Sequence, residues 1–234
     1  MPFNGGALKN IGYDLCKEDC DYVCFQDVDI LPINSDYSWA ETPTVVAKHG
    51  FMIQASVPNQ NQKKKAETLG HLGGIVLLKM ANFSMANGYP NDYWGWGFED
   101  LDLQKRLEGN GLQIDCREGG FETLEHQHRG KDLNGNLNAN GLLNFNQFMR
   151  RWSGQTIDKE GSMASGLSNL SYDIVKREPL ANQTMYRAAD WEIVTVSLND
   201  EPSQAHLESL AKDQKKRESK SPPSPKSFTG SQFS

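Results

Sequence analysis

The 234-residue sequence has no apolar run near the ~20 residues of a membrane span, and its first residues lack the charged-then-apolar pattern of a secretory signal. It also lacks a basic excess: 24 Lys and Arg stand against 30 Asp and Glu, a formal net charge of −6. That excludes the clustered positive footprint a nucleic-acid backbone requires. The two dense basic runs, Lys63–Lys65 and Lys215–Arg217, read as solvated loop and tail. Cysteine is scarce, with four in all, and Cys16, Cys20 and Cys24 form a C-x3-C-x3-C series rather than a zinc-ribbon pair. Cys24 falls in an apolar run, where a thiol is expected to act as a small buried hydrophobe. The sequons at Asn82, Asn169 and Asn182 are about as many as chance supplies and decide nothing.

What is present suits one α/β domain with a tail. Ala7, Leu8, Ile11 and Leu15 recur at helical spacing and predict a helix over 5–17. Tyr22–Phe25 reads as an interior strand that ends at Asp27-Val28-Asp29, and the C-terminal ends of such strands are where open α/β sheets bind ligands. A second strand is expected over 44–55, followed by a polar loop over 58–67. Gly73-Gly74 opens a buried strand, Ile75–Leu78, with a short helix near 81–86. Asn87–Asp92 is turn chemistry, leading to an irregular aromatic loop over 93–97 and a helix over 99–108 that Gly109 stops. Further strands are expected at 114–116, 121–128, 172–175 and 191–198, a mobile loop at 134–141 and a helix at 143–152. Beyond Asn199 the Ser, Pro and Lys content predicts a disordered tail over 199–234.

Three constellations carry chemistry. Asp27 and Asp29 share a face if the strand continues, and their hard oxygens suit a divalent cation; a solvated turn is the plainer reading. His126 and His128 have the same i, i+2 spacing, and two imidazoles with a carboxylate suit manganese, iron, cobalt or zinc. An exposed polar strand end, or the iron site of an oxygenase, fits the same residues. Tyr93 to Asp102 sets Trp94 and Trp96 between glycines and then supplies Glu99, Asp100 and Asp102. Sugars present apolar C–H faces rimmed by hydroxyls, so aromatic platforms beside carboxylates suit a saccharide. The alternative is an aromatic loop capping a helix whose acids complement its dipole.

Phe3 to Gly12, Asp27-Val28-Asp29, Gly73-Gly74, Asn87-Gly88-Tyr89, Tyr93 to Asp102 and Ser165 to Tyr172 resemble, in order, the motifs of the β-1,4-galactosyltransferase family over residues 3–175. The His-x-His pair resembles the branch that galactosylates xylose on proteoglycan cores. The resemblance implies a GT-A-type α/β fold, a mixed sheet with flanking helices, over 1–198. It further implies inverting transfer of galactose or a related hexose from a UDP-hexose donor to a saccharide or glycoconjugate acceptor, with Mn2+ as cofactor. In a eukaryote it implies the Golgi lumen. By the same resemblance Asp100 would be the general base and Glu99 its neighbour. Asp27, Gly73, Gly74, Trp94, Trp96 and Asp102 would line the substrates, and Asp29, His126 and His128 would hold the metal. The loop after His128 resembles the family's lid.

Two departures bear on specificity. Leu101 stands where many members carry a second aspartate, and Phe98 replaces a glycine or arginine. The Glu-Asp-Leu-Asp-Leu form also resembles chondroitin-type N-acetylhexosaminyltransferases. The family's N-terminal nucleotide-binding strands would precede Phe3, so a fragment, or an inert carbohydrate-binding remnant, is a further expectation.

Overall fold

The computed structural model describes residues 3–46, 49–52, 64–67, 72–123, 136–153, 163–179 and 192–218. Its centre is strand β6, Ile75–Lys79, whose first four residues are all buried. Side chains alternate across a strand, so Val76 and Leu78 enter one core cluster while Ile75 and Leu77 enter another. A strand apolar on both faces needs cover on both. Helices α1 (Gly5–Cys16), α2 (Met80–Met85) and α3 (Glu99–Gly109) cover the first face with Tyr13, Phe83, Leu103 and Leu107. The second face is covered by Ile30 and Phe121, which belong to β2 (Ile30–Ile33) and β8 (Gly120–Thr123).

Two four-stranded sheets result. The first runs β1-β6-β3-β7, with β1 at Tyr22–Gln26, β3 at Thr44–Val45 and β7 at Asp115–Cys116. The second runs β2-β8-β4-β5, with β4 at His49–Met52 and β5 at Lys64–Glu67. Each mixes antiparallel and parallel pairs: β3 runs parallel to β7, and β4 parallel to β8. Strands β9 (Tyr172–Pro179) and β10 (Glu192–Leu198) form a separate antiparallel pair. Helix α4 (Ala139–Trp152) packs on a last helix, α5 (Gln204–Glu218). Among the described residues no helix is long and apolar enough to cross a membrane.

Several expectations are corrected. The strand expected over 44–55 is two short strands in different sheets, and the polar loop over 58–67 contains β5 at its end. Among the described strands β1 lies at the end of its sheet's order, not inside it. Cys24 points away from the core that Phe25 enters, and it is exposed. Asn138 caps α4 by accepting from the Gly141 N–H at 2.9 Å, so residues 139–141 are helix rather than loop. Residues 204–218 of the expected disordered tail are helical, because the helix docks through polar His206, Ser209 and Asp213. A composition argument looks for apolar area and misses such a face.

Two hydrogen-bonded knots lock these parts. Asn10 is fully buried on α1; its Nδ2 donates to the Tyr89 carbonyl at 2.7 Å and to Asn91 Oδ1 at 2.8 Å, while its Oδ1 accepts from the Tyr89 N–H at 2.9 Å. Gly88 is required there: its φ is +63° and a Cβ would stand 2.4 Å from Asn10 Oδ1. Asn4 caps α1 through the Ala7 N–H and donates to the Asn91 carbonyl at 2.6 Å. On the far side, Asn87 and Asn91 bond the 165–169 segment. The second knot is ionic. Asp102 has no exposed side-chain surface, and it accepts from Arg106 Nε at 2.8 Å, Tyr93 Oη at 2.9 Å and Arg151 at 3.0 Å. It ties α3 to α4, and Arg151 also pairs with Asp92.

Asp102→Asn takes the buried counter-charge from Arg106 and leaves Arg151 only Asp92, so unfolding in urea is expected to show a loss of about 3–5 kcal/mol. A variant as stable as the wild type would remove the knot from the fold's support.

Candidate active site

The acids converge where β1 ends and α3 begins. The Asp27 N–H donates to the Gly74 carbonyl at 2.9 Å, fixing the residue at the mouth of the sheet beside the Gly73-Gly74 pair. Helix α1, held by Asn10, projects the preceding residue, Lys9, into the same place. Lys9 Nζ lies 3.5 Å from Asp27 Oδ1 and 3.3 Å from Asp100 Oδ1, and 4.9 Å from the centre of the Tyr89 ring. Glu99 reaches over the start of α1: its Oε1 is 3.8 Å from where a Cβ on Gly5 would stand. Glu99 and Asp100 occupy the first turn of α3, where the helix dipole favours negative charge. Phe98 precedes them at φ +75°, a left-handed conformation costly for a bulky residue, and its ring packs on Phe145 and Phe148 of α4.

Charge is crowded here. Burial opposes the Lys9 ammonium, yet Tyr89, Asp100, Asp27 and Glu99 outweigh it and hold its pKa well above the ordinary value. Burial, and then the Asp100 charge, push the Glu99 carboxyl up to about 7. Burial also raises Asp27, against the pull of Lys9. The cluster is therefore three carboxyl groups around one cation, with one carboxyl poised to carry a proton near neutrality.

Of the residues singled out in the sequence, Asp27, Gly74, Glu99 and Asp100 meet in this cluster. Trp96 is half-buried in the adjoining turn, which the Gly95 N–H fastens to the Phe3 carbonyl at 2.8 Å. Trp94 and Asp102 do not join the cluster. Trp94 is 3% exposed and Asp102 not at all, since both turn inward to support the loop and helix. Asp29 is half-buried beside Ile30, which pairs with Thr123, the last described residue of β8. His126 and His128 lie outside the described residues. Among the described residues no three His, Cys, Asp or Glu side chains gather to hold a metal.

Lys9, Asn140, Asn144 and Arg151 were missed. Lys9 carries no signal in the spacing, because it stands about 200° from Ala7 around α1, outside the stripe of Ala7, Leu8, Ile11 and Leu15.

A family model described as the N-terminal domain of galactosyltransferase matches residues 54–129. Beta-1,4-galactosyltransferase 7 of Mus musculus is 35% identical over 132 residues, covering 54% of this chain and 37% of that protein. The Homo sapiens protein of the same name is 30% identical over 185 residues, 76% of this chain and 50% of its own. Human beta-1,4-galactosyltransferase 5 is 30% identical over 218 residues, 88% of this chain and 47% of its own. This chain thus spans about half or less of the length of these relatives. The catalytic domain of Drosophila beta-1,4-galactosyltransferase 7 in complex with xylobiose shares the fold, at a TM-score of 0.55 and 22% identity over 86% of this chain and 76% of that one. A mutant of that protein in complex with manganese, UDP-Gal and xylobiose matches to the same extent. The mixed-sheet α/β architecture is therefore that of a GT-A-type catalytic domain.

A carboxyl group raised by folding binds a proton that the unfolded chain releases, so its contribution to stability falls as pH rises between the ordinary 4.5 and about 7. Glu99→Gln removes that penalty. The variant is expected to match the wild type in urea unfolding below pH 4.5 and to exceed it by about 1–3 kcal/mol at pH 8. Equal stability at both pH values would mean that Glu99 is not strained in the folded chain.

Proposed function

The chain belongs to the β-1,4-galactosyltransferase family, and on that premise we propose that it acts in inverting, metal-dependent transfer of galactose, or a related hexose, from a UDP-sugar to a hydroxyl of a saccharide acceptor. The observation that carries this reading is the grouping of Asp27, Glu99 and Asp100 around Lys9, one turn of chain from Trp96. A sugar hydroxyl is a weak nucleophile, and a positioned carboxylate that takes its proton while the new bond forms is the group such a transfer needs. Asp100 fills that role: its carboxylate is about a quarter exposed, and Lys9 holds one of its oxygens. Glu99, with a pKa near 7, donates a hydrogen bond to an acceptor hydroxyl when protonated and accepts one when not. Asp27 borders the donor side of the cluster beside Gly73 and Gly74, and Trp96 offers an apolar face between donor and acceptor.

Asp29, His126 and His128 would hold manganese, the ion bound with UDP-Gal in the Drosophila mutant complex. One carboxylate and two imidazoles suit that ion. Bound there, the ion supplies positive charge to offset the negative charge that grows on the departing diphosphate. One base with no second carboxylate acting as nucleophile is consistent with inversion.

Asp100→Asn is expected to lower transfer from UDP-galactose to a xylose-terminated acceptor by about 10²–10⁴-fold. Calorimetric binding of UDP with manganese should be unchanged in that variant. Near-normal turnover removes Asp100 as the base. A wild-type chain that gives no heat with UDP and manganese, yet binds the saccharide, is a carbohydrate-binding protein rather than a transferase.

A further inference from the structure

The tryptophan-glycine turn is shaped by α4, and α4 is set by α5. Asn140 Nδ2 donates to the Trp94 carbonyl at 2.8 Å, and its Oδ1 accepts from the Trp96 N–H at 2.9 Å. Gly95 is needed for that approach, since its φ is +82° and a Cβ would stand 2.3 Å from Asn140 Oδ1. One turn along, Asn144 Nδ2 donates to the carbonyls of Trp96 at 3.0 Å, Gly97 at 3.2 Å and Trp94 at 3.3 Å. Both amides are buried, so the turn's backbone is satisfied by side chains rather than by water.

Helix α5 supplies the other half. The Asp213 carboxylate accepts from the Ala139 N–H at 3.0 Å and the Asn140 N–H at 2.9 Å, capping α4 where its dipole is positive. His206 Nε2 lies 3.1 Å from Asn144 Oδ1. Asn144 turns its NH2 group to three carbonyls, so its oxygen faces the ring and His206 Nε2 carries the hydrogen. His206 Nδ1 then accepts from Ser203 Oγ at 2.9 Å. The imidazole is 5% exposed, and it orients the one amide that holds three loop carbonyls.

We propose that His206 is a positioning residue for the saccharide acceptor: through Asn144 it sets the turn that presents Trp96, which makes α5 part of the acceptor site. The claim rests on the reading of Trp96 as a sugar platform, and its physical core can be tested without that reading. His206→Ala leaves the Asn144 oxygen unpaired, so that its amide is held only through the NH2 group. His206→Gln keeps a donor within reach.

In the full chain, amide hydrogen exchange at Trp96 is expected to quicken about tenfold in His206→Ala and to return to the wild-type rate in His206→Gln. The acceptor KM should rise about tenfold in the alanine variant while kcat and UDP binding hold, and the glutamine variant should restore it. An unchanged Trp96 exchange rate in the alanine variant overturns the proposal, as does a loss of UDP binding equal to the loss of acceptor binding, which marks general destabilisation. Faster exchange, rescued by glutamine, in a chain that binds no saccharide supports the positioning chain and instead removes the proposed function.

Discussion

One buried amide governs where everything else stands. Asn10 closes three hydrogen bonds onto Tyr89 and Asn91, which fixes α1 both along its axis and about it. Each net bond is worth only about 1 kcal/mol, but leaving a buried partner unmet costs up to about 3 kcal/mol. The register is thereby imposed directionally, which an apolar contact does not do. Neighbouring helical residues point about 100° apart. With Asn10 facing the 87–91 turn, Lys9 is delivered to Asp27 and Asp100.

The acid cluster exists because of that delivery. Three carboxyl groups, two of them at the start of one helix, would repel in a half-buried place without a cation. Lys9 and the α3 dipole offset part of the repulsion; burial first, and then the neighbouring carboxylates, raise Glu99 and Asp27. The left-handed Phe98 is a second local cost at the same spot, tolerated because Phe145 and Phe148 hold its ring. Strain gathered at one point and supported from several elements is the pattern of a functional site rather than of a packing accident.

Legibility in the sequence followed periodicity. Ile75–Leu78 was readable because a strand buried on both faces must be apolar throughout, and α1 and α3 were readable from their spacing. The decapeptide misled because its acids were taken together. Asp100 and Asp102 are separated by about 200° around a helix, so they cannot serve one pocket, and the Asp102/Arg106 spacing of four already described an internal ion pair. Trp94 was misassigned for a similar reason: flanking glycines speak of backbone freedom and say nothing about which ring faces out. Asp29 and the histidines are marked in the sequence by donor chemistry and by the family resemblance, and the β2/β8 register, which begins at Ile30 and ends at Thr123, contains none of them.

Asparagine explains the remaining misreading. The segment from Asn134 to Gly141 is so rich in Asn and Gly that it reads as a loop, and such composition does favour turns. An irregular loop that is partly buried, however, leaves carbonyl and N–H groups pointing in directions no helix or strand can match. Asparagine is short and carries a donor and an acceptor on one rigid plane, which lets it satisfy such groups from a neighbouring helix. Asn140 and Asn144 do this for the tryptophan-glycine turn. Asn4 and Asn10 do it for the 87–91 turn, and Asn87 and Asn91 of that turn in their own right bond the 165–169 segment. The apolar core holds the sheets, and a scaffold of amides holds the irregular backbone beside the acid cluster. A pattern search for hydrophobic faces detects the first and passes over the second, and for the same reason the polar face of α5 read as a tail.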